Sequence, residues 1–444
     1  MILKTIENFT KEFLNKTQNK KIHLVSHFDT DGITSAAIMS KTLEKLSIQF
    51  SVKILKQLTI KEITEFPKDK TIIILDLGSS HLLELSTLPN DIFVIDHHEI
   101  KNKTSAENIH IVNPHLLTDS ENLCSAELTY LFSKTISEEN KELAYLAIIG
   151  MVGDVMEKEI TKTRDQIIKD SKVQVKKGLL IYPSTRPLDR TLEYSSRPFI
   201  PGVTGNPKGA YELLQEAGIQ KIGKTFKSLI DLSEEEMKSL VTSVLLRLSG
   251  EEKNSEYIGN LYLIKFFSKI EDARELSAMI NACSRMGNTG ISLMFCLGST
   301  NARKQAEKIY VKYRQHIISG LKHIDKNKKI QGNQYVIINA KDKIKDTLIG
   351  TMASILSFSS VYKEGTVIIT MAYNDEMIKV STRMAGRNKK NNRNLKELMD
   401  SVTNTIGGEA GGHKMAAGCT IKKQDEDKFI ELIQKKLNIE LVKI

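Results

Sequence analysis

Short apolar runs alternate with stretches of helical spacing over the first third of the chain. Ile22-His23-Leu24-Val25-Ser26, Ile72-Ile73-Ile74-Leu75 and Ile92-Phe93-Val94-Ile95 are nearly continuous, the pattern of strands buried on both faces. Shorter strands are expected near 52–55 and 109–112. Residues 5–18, 33–46, 122–135 and 140–151 carry apolar positions at helical spacing, with Ala36 and Ala37 allowing close packing. Strands alternating with helices predict a mainly parallel sheet covered by helices on both faces. Right-handed crossovers then bring every strand C-terminus to one edge.

The pattern changes near residue 183. Five of the eight prolines, Pro183, Pro187, Pro198, Pro201 and Pro207, fall close together, beside Arg186, Arg190 and Arg197. Proline at this density excludes regular helix or central strand. The stretch reads either as a structural crossover loop or as a basic lip that guides a strand of nucleic acid. Residues 208–250 read as helical throughout, and 301–325 as a charged amphipathic helix bridging two domains. From Gln334 onward, strands are expected at 335–338, 366–371 and 377–382, the last two joined across Asn374-Asp375, with a helix at 394–405. Ser381 and Arg383 occupy alternate positions of one strand and therefore share a face. The expected fold is α/β: a mainly parallel-sheet domain at 1–190, a mostly helical insert at 191–265, a contact segment and linker helix at 266–325, and a smaller α/β domain at 326–444.

A chain of 444 residues is too long for one compact core. Its formal charge of +10 and pI near 9.1 favour a polyanionic partner, although lysine-rich surfaces also serve solubility. There is no tryptophan and only 6% aromatic residues, so a base-stacking platform is not indicated. Recognition of nucleic acid would rest on the phosphate backbone and weaken with salt. Cys124, Cys283, Cys296 and Cys419 are scattered, which indicates neither a zinc finger nor a disulfide frame. No apolar run approaches a membrane span, and the start lacks a signal-peptide core. A cytoplasmic protein without a membrane partner is expected.

The acidic residues follow one rule: they stand where an apolar run stops. His27, Asp29, Asp31 and Gly32 follow the first run, Asp76 and Gly78 the second, and Asp96-His97-His98 the third. Gly153-Asp154 ends a helical stretch. Carboxylates this close repel unless cations sit between them. Asp oxygens with imidazoles suit Mn2+, and less exclusively Mg2+ or Zn2+. The surplus of ligands points to two ions bridged by a shared carboxylate. Near the C-terminus, Gly411-Gly412-His413 reads as a glycine-rich loop whose amides can approach an oxyanion, with His413 adding a side-chain donor. Residues 387–393 form a basic loop, either a solvated turn or a backbone-binding element.

The ordered set His27-Phe28-Asp29-Thr30-Asp31-Gly32, Asp76, Asp96-His97-His98 and Gly153-Asp154 resembles the four motifs of the DHH phosphoesterase superfamily. Gly411-Gly412-His413-Lys414-Met415-Ala416-Ala417-Gly418 resembles its DHHA1 partner motif. The resemblance implies phosphodiester hydrolysis by a metal-activated water and two divalent ions, Mn2+ first and Mg2+ second. His27, Asp29 and Asp76 would hold one ion; Asp31, Asp76, His97 and Asp154 would hold the other. His98 would reach the scissile phosphate, and Asp96 would orient a neighbouring ligand. Arg285 lies in Asn281-Ala282-Cys283-Ser284-Arg285-Met286-Gly287, which resembles a segment that RecJ-like nucleases place before their interdomain helix. Together with Ser381, Arg383, Gly411, Gly412 and His413 it would bind substrate.

Chain length, insert and these segments most resemble archaeal RecJ-like single-strand exonucleases, the GINS-associated nucleases. That implies single-stranded DNA or RNA as substrate, a role in replication or repair, and GINS and the replicative helicase as partners. Two other readings are kept: a nanoRNase or dinucleotide phosphodiesterase, and a replication-helicase scaffold with little turnover. Retention of Asp29, Asp31, Asp76, His97, His98 and Asp154 argues against the scaffold.

Overall fold

The apolar runs of the first third form a wholly parallel five-stranded sheet in the computed structural model. The structure describes residues 1–440 except 101, 119, 196–197, 199, 249–256, 360 and 387–392. In chain order the first elements are α1 (Ile2–Lys16), β1 (Ile22–His27), α2 (Thr30–Lys45), β2 (Phe50–Leu55), α3 (Ile60–Thr64) and β3 (Thr71–Leu75). They continue as α4 (Leu82–Ser86), β4 (Ile92–Ile95), β5 (Ile109–Val112), α5 (Ser125–Ile136) and α6 (Ala144–Gly153). The spatial order is β2-β1-β3-β4-β5. The winding therefore reverses at β1, and ligands of open α/β sheets bind at such a reversal, beyond the carboxyl ends of the strands.

Both faces of the sheet are covered, which is why its strands read as continuous apolar runs. Ile73, Leu75, Phe93 and Ile95 face a core shared with α1, α2, α5 and α6. The alternate residues Ile72, Ile74, Ile92 and Val94 face Leu58, Ile63, Phe66, Leu82 and Leu85. Phe9 and Phe13 of α1 clasp Phe93 and Phe132 edge-to-face at 5.1–5.4 Å between ring centres.

The chain continues through α7 (Lys162–Ser171), β6 (Gln174–Leu179), α8 (Leu188–Glu193), α9 (Pro207–Glu216), β7 (Lys221–Ile222), β8 (Thr225–Phe226) and α10 (Glu234–Arg247). Next come β9 (Ile258–Phe266), β10 (Lys269–Asp272), α11 (Ala273–Arg285), α12 (Thr289–Cys296) and α13 (Thr300–Lys326). The structure departs from the sequence expectations in two places and adds one sheet. Residues 208–250 are not helical throughout, because β7 and β8 form a hairpin whose turn begins at Gly223 with φ +63°. Among the described residues the proline-rich stretch admits α8 and the start of α9, because Pro187 directly precedes the first residue of α8 and Pro207 is the first residue of α9, where a missing N–H is harmless. A three-stranded antiparallel sheet, β10-β9-β6, was not anticipated. Its edge strand β6 is largely polar and exposed, and so carries no apolar signal.

The last elements are β11 (Ile330–Gly332), β12 (Tyr335–Asn339), α14 (Asp346–Phe358), β13 (Val367–Asn374), β14 (Met377–Met384), α15 (Leu395–Ile406), β15 (Glu409–His413), β16 (Ala416–Lys422) and α16 (Glu426–Glu440). They build a six-stranded sheet of order β11-β12-β13-β14-β16-β15, parallel only between β12 and β13. Val367, Ile369 and Met371 pack with α15 and α16, while Ile368 and Ala372 pack with α14. The glycine-rich segment at 411–413 is therefore an edge strand rather than a loop: a backbone ladder needs no side chains.

By contacts the chain forms two units. One comprises Met1–Thr191, Ala217–Leu245 and Gly250–Tyr310; the other comprises Leu192–Glu216, Leu246–Ser249 and Val311–Ile444. Among the described residues no helix is long and apolar enough to cross a membrane.

Candidate metal centre

The first ligands arise where β1 meets α2. Asp29 caps the helix, its Oδ1 accepting from Gly32 N at 3.1 Å. Position 32 must be glycine, because a Cβ there would lie 2.3 Å from His27 O. This tight turn places Asp31 in the first turn of α2, fully buried. Its two oxygens accept from Ser125 N and Ala126 N, both at 2.8 Å, at the amino end of α5.

At the end of β3 the backbone of Asp76 turns left-handed, with φ +57°, a conformation that Asp tolerates better than most residues. Asp76 Oδ1 accepts from Ser125 Oγ at 3.0 Å, and Oδ2 lies 3.1 Å from His27 Nδ1. At the end of β4, Asp96 Oδ1 accepts from His97 N (2.8 Å) and His98 N (3.2 Å) and lies 2.7 Å from His98 Nδ1. Its Oδ2 accepts from Ser79 N at 2.9 Å. His97 Nε2 is 3.2 Å from Asp154 Oδ2, 3.5 Å from Asp76 Oδ1 and 3.8 Å from Asp31 Oδ2. Asp154 caps the carboxyl end of α6. Gly150 and Gly153 let that helix approach: a Cβ at 150 would lie 2.4 Å from Ala126 Cβ, and one at 153 would lie 2.7 Å from Thr30 Cβ.

Three overlapping groups result: His27 with Asp29 and Asp76; Asp31 with His97 and Asp154; and Asp76 with His97 and His98. Within each group the ligand atoms lie within 4.8 Å of one another. Burial pushes the Asp31 carboxyl well above its usual range, and Asp76 and Asp154 add to the rise. Asp154 is raised by burial, with Asp29 and Asp76 contributing. Asp76 is buried too, but hydrogen bonds from His27 and His97 outweigh this and hold it well below the carboxylate range. Conversely, Asp29 and Asp76 outweigh burial to raise His27, and contacts with Asp154 and Asp76 push His97 up to about 12. His98 is raised chiefly by its hydrogen bond to Asp96. Among the described residues these carboxylates form ion pairs with imidazoles only. Mutually repelling oxygens, with imidazole protons as their compensating charge, fit a hard divalent cation.

The other expected residues fall into two places. Arg285 ends α11, one turn beyond Asn281 on the same helix face. Asn281 Oδ1 accepts from Thr30 N at 3.2 Å, and Ser277 O accepts from Thr30 Oγ1 at 3.0 Å, so α11 braces the loop that carries Asp29 and Asp31. In the second unit, Ser381 and Gly411 both pair with Gly418, while Arg383 and His413 both pair with Ala416. Two rungs apart, these positions share one face of the sheet, and Gly412, opposite Ala417, belongs to the other. Arg383 Nε donates to Ser354 Oγ of α14 at 3.1 Å. Of the basic loop, residues 387–392 lie outside the described residues.

Sequence reasoning missed Ser125, Ser79 and Ser354. Only Ser125 had a signal. It follows Cys124, and Glu127 stands three residues after that cap position, just before an apolar run, the spacing of a helix start.

Family models match three stretches of the chain: the DHH family N-terminal domain at 21–151, the DHH-CID domain at 181–261 and the DHHA1 domain at 332–438. An uncharacterized protein of Methanocaldococcus jannaschii is 26% identical over 447 residues, covering 97% of either chain. The fold is similar to RecJ of Thermus thermophilus in complex with Mn2+, with TM-score 0.62 and 16% identity over 98% of this chain and 54% of RecJ. The chain thus spans about half the length of that RecJ. It is also similar to CDC45 of Entamoeba histolytica, with TM-score 0.66 and 14% identity over 97% and 98% of the two chains.

Proposed function

We propose that this chain, assembled from DHH, DHH-CID and DHHA1 domains, is a divalent-metal-dependent phosphodiesterase acting as a RecJ-like exonuclease on single-stranded nucleic acid. The observation that carries this reading is the convergence of His27, Asp29, Asp31, Asp76, His97 and Asp154 from three strand ends and one helix end.

His27, Asp29 and Asp76 would hold one ion, and Asp31, Asp76, His97 and Asp154 the other. Bound there, Mn2+ or Mg2+ would acidify a water and neutralise charge on the attacked phosphate. The chain's own groups do the rest. The α5 amides fix Asp31, and the Ser125 hydroxyl fixes one oxygen of Asp76. Asp96 accepts from Nδ1 of the half-exposed His98 and favours its imidazolium form, whose Nε2–H is left to donate to a phosphate oxygen. Arg285 adds a phosphate contact beside the metal loop. In the second unit, Ser381, Arg383 and His413 share a face and, with the amides of Gly411 and Gly412, suit backbone phosphates. The charge of +10 supports a polyanionic substrate.

A scaffold role within a replication complex is favoured by the end-to-end likeness to CDC45; the complete ligand set favours hydrolysis. Association with GINS and the replicative helicase belongs to this proposal by resemblance alone, and gel filtration of a mixture showing no complex removes it. The test of the activity is a length series of end-labelled single-stranded DNA and RNA in Mn2+. Stepwise mononucleotide release from long strands supports the exonuclease. Cleavage confined to the shortest oligomers moves the reading to a dinucleotide phosphodiesterase, and binding without cleavage moves it to the scaffold.

A further inference from the structure

Arg164 of α7 heads the largest fully buried side chains, with 1% of its surface exposed. A guanidinium has five N–H donors, and here every one is used. Nε donates to Glu127 Oε1 at 2.7 Å, and Nη2 donates to Glu127 Oε2 and to Asn122 O, both at 2.8 Å. Nη1 donates to Met156 O at 3.1 Å and to Glu159 O. The bidentate geometry suits arginine alone, because a lysine ammonium cannot reproduce the planar fork.

These acceptors belong to two segments, and each ends on the metal centre. The first leads into α5. Glu127 Oε2 also accepts from Cys124 N at 2.9 Å, which fixes the amino end of the helix. The next two amides bind Asp31, and the Ser125 hydroxyl binds Asp76. The second segment follows Asp154 directly. Val155 there has φ +59°, a left-handed backbone that β-branched residues avoid. Such a conformation persists only where its surroundings impose it. Arg164 does so from one side by holding Met156 O, while Met156 N donates to Met151 O at 3.0 Å from the other.

We propose that Arg164 is a positioning residue for the metal centre: it fixes the separation between Asp154 and the pair Asp31 and Asp76, and so sets the affinity for one of the two ions. It touches no ligand atom and acts only through Glu127, Asn122, Met156 and Glu159. The inference rests on the metal-centre reading above.

The test is Mn2+ binding to the full chain by calorimetry, for wild type, Arg164→Lys and Glu127→Gln, each checked for native circular dichroism. In a folded variant, one of two binding steps is expected to weaken by about tenfold to a hundredfold, with the other unchanged. Wild-type affinity at both steps in a folded variant overturns the role. If both variants fail to fold, amide hydrogen exchange on wild type decides: Mn2+ is expected to slow exchange at 156–164 together with 122–127. Unchanged exchange at 156–164 overturns the role. A wild type that binds no Mn2+ overturns the metal reading itself, and this inference with it.

Discussion

Ser125 Oγ donates to Asp76 Oδ1 at 3.0 Å from the same helix turn whose amides bind Asp31. One turn of α5 thus serves two carboxylates, one from the first turn of α2 and one from the end of β3. Replacing Ser125 with Ala removes a buried hydrogen bond to a charged group, which costs about 1.5–3 kcal/mol. Denaturant unfolding is expected to show that loss. Hydrolysis is expected to need about tenfold more Mn2+, as when an outer-shell partner of a metal ligand is removed. An unchanged Mn2+ requirement contradicts the role of the hydroxyl.

Protons and metal compete at His27 and His97. Both imidazoles gain carboxylate partners on folding, which raises their pKa values above the usual 6.5. In metal-free protein that stabilisation is fully present below the unfolded value and is lost as pH rises through the folded ones. Binding of a cation requires the neutral imidazoles and displaces their protons. Mn2+ affinity is therefore expected to rise with pH through neutrality, with proton release visible as a buffer-dependent binding enthalpy. Affinity that stays flat, with no protons released, contradicts this.

The strand ends were legible in the sequence for a physical reason. Strands β1, β3 and β4 are buried on both faces, so their apolar runs are nearly unbroken and the first polar residues after them mark the ligand edge. The rest was hidden for equally physical reasons. Ser125 looks like an ordinary helix-start residue, and only the fold shows it beside Asp76. Strand β6 is exposed and polar, while β7 and β8 have two residues each, too few for any period. The glycines of β15 suggested a loop. Their register with Ser381 and Arg383 exists only through β16, which pairs with both strands.

Gly150 is tightly enclosed beside the centre. A Cβ there would lie 2.4 Å from Ala126 Cβ, 2.8 Å from Thr34 Oγ1 and 2.9 Å from Asp31 Oδ1. Gly150→Ala is expected to lower stability by about 1–3 kcal/mol through overpacking. By shifting α6 it is also expected to weaken Mn2+ binding. A thermal melt and a Mn2+ titration indistinguishable from wild type contradict the close approach.

Arg383 is held in place by Ser354, whose Oγ accepts from its Nε at 3.1 Å. If Arg383 binds a backbone phosphate, Arg383→Ala removes a charge-assisted contact worth about 1.5–3 kcal/mol, or roughly tenfold to a hundredfold in KM. Ser354→Ala is expected to give a smaller rise in KM. Neither variant is expected to alter Mn2+ affinity. A fall in kcat with KM unchanged contradicts a binding role.

The most direct test of the metal-centre reading is Asp154→Ala, assayed for bound Mn2+ and for release of nucleotide from end-labelled single-stranded DNA. Asp154 is partly buried, and besides its contact with His97 it faces the like charges of Asp29 and Asp76, which with desolvation hold its pKa up, so its removal relieves repulsion in the metal-free state. The expected result is a metal-free protein at least as stable as wild type, with the Mn2+-induced rise in Tm diminished and hydrolysis abolished. Wild-type hydrolysis by Asp154→Ala at saturating Mn2+ contradicts the assignment of this cluster as the catalytic metal centre.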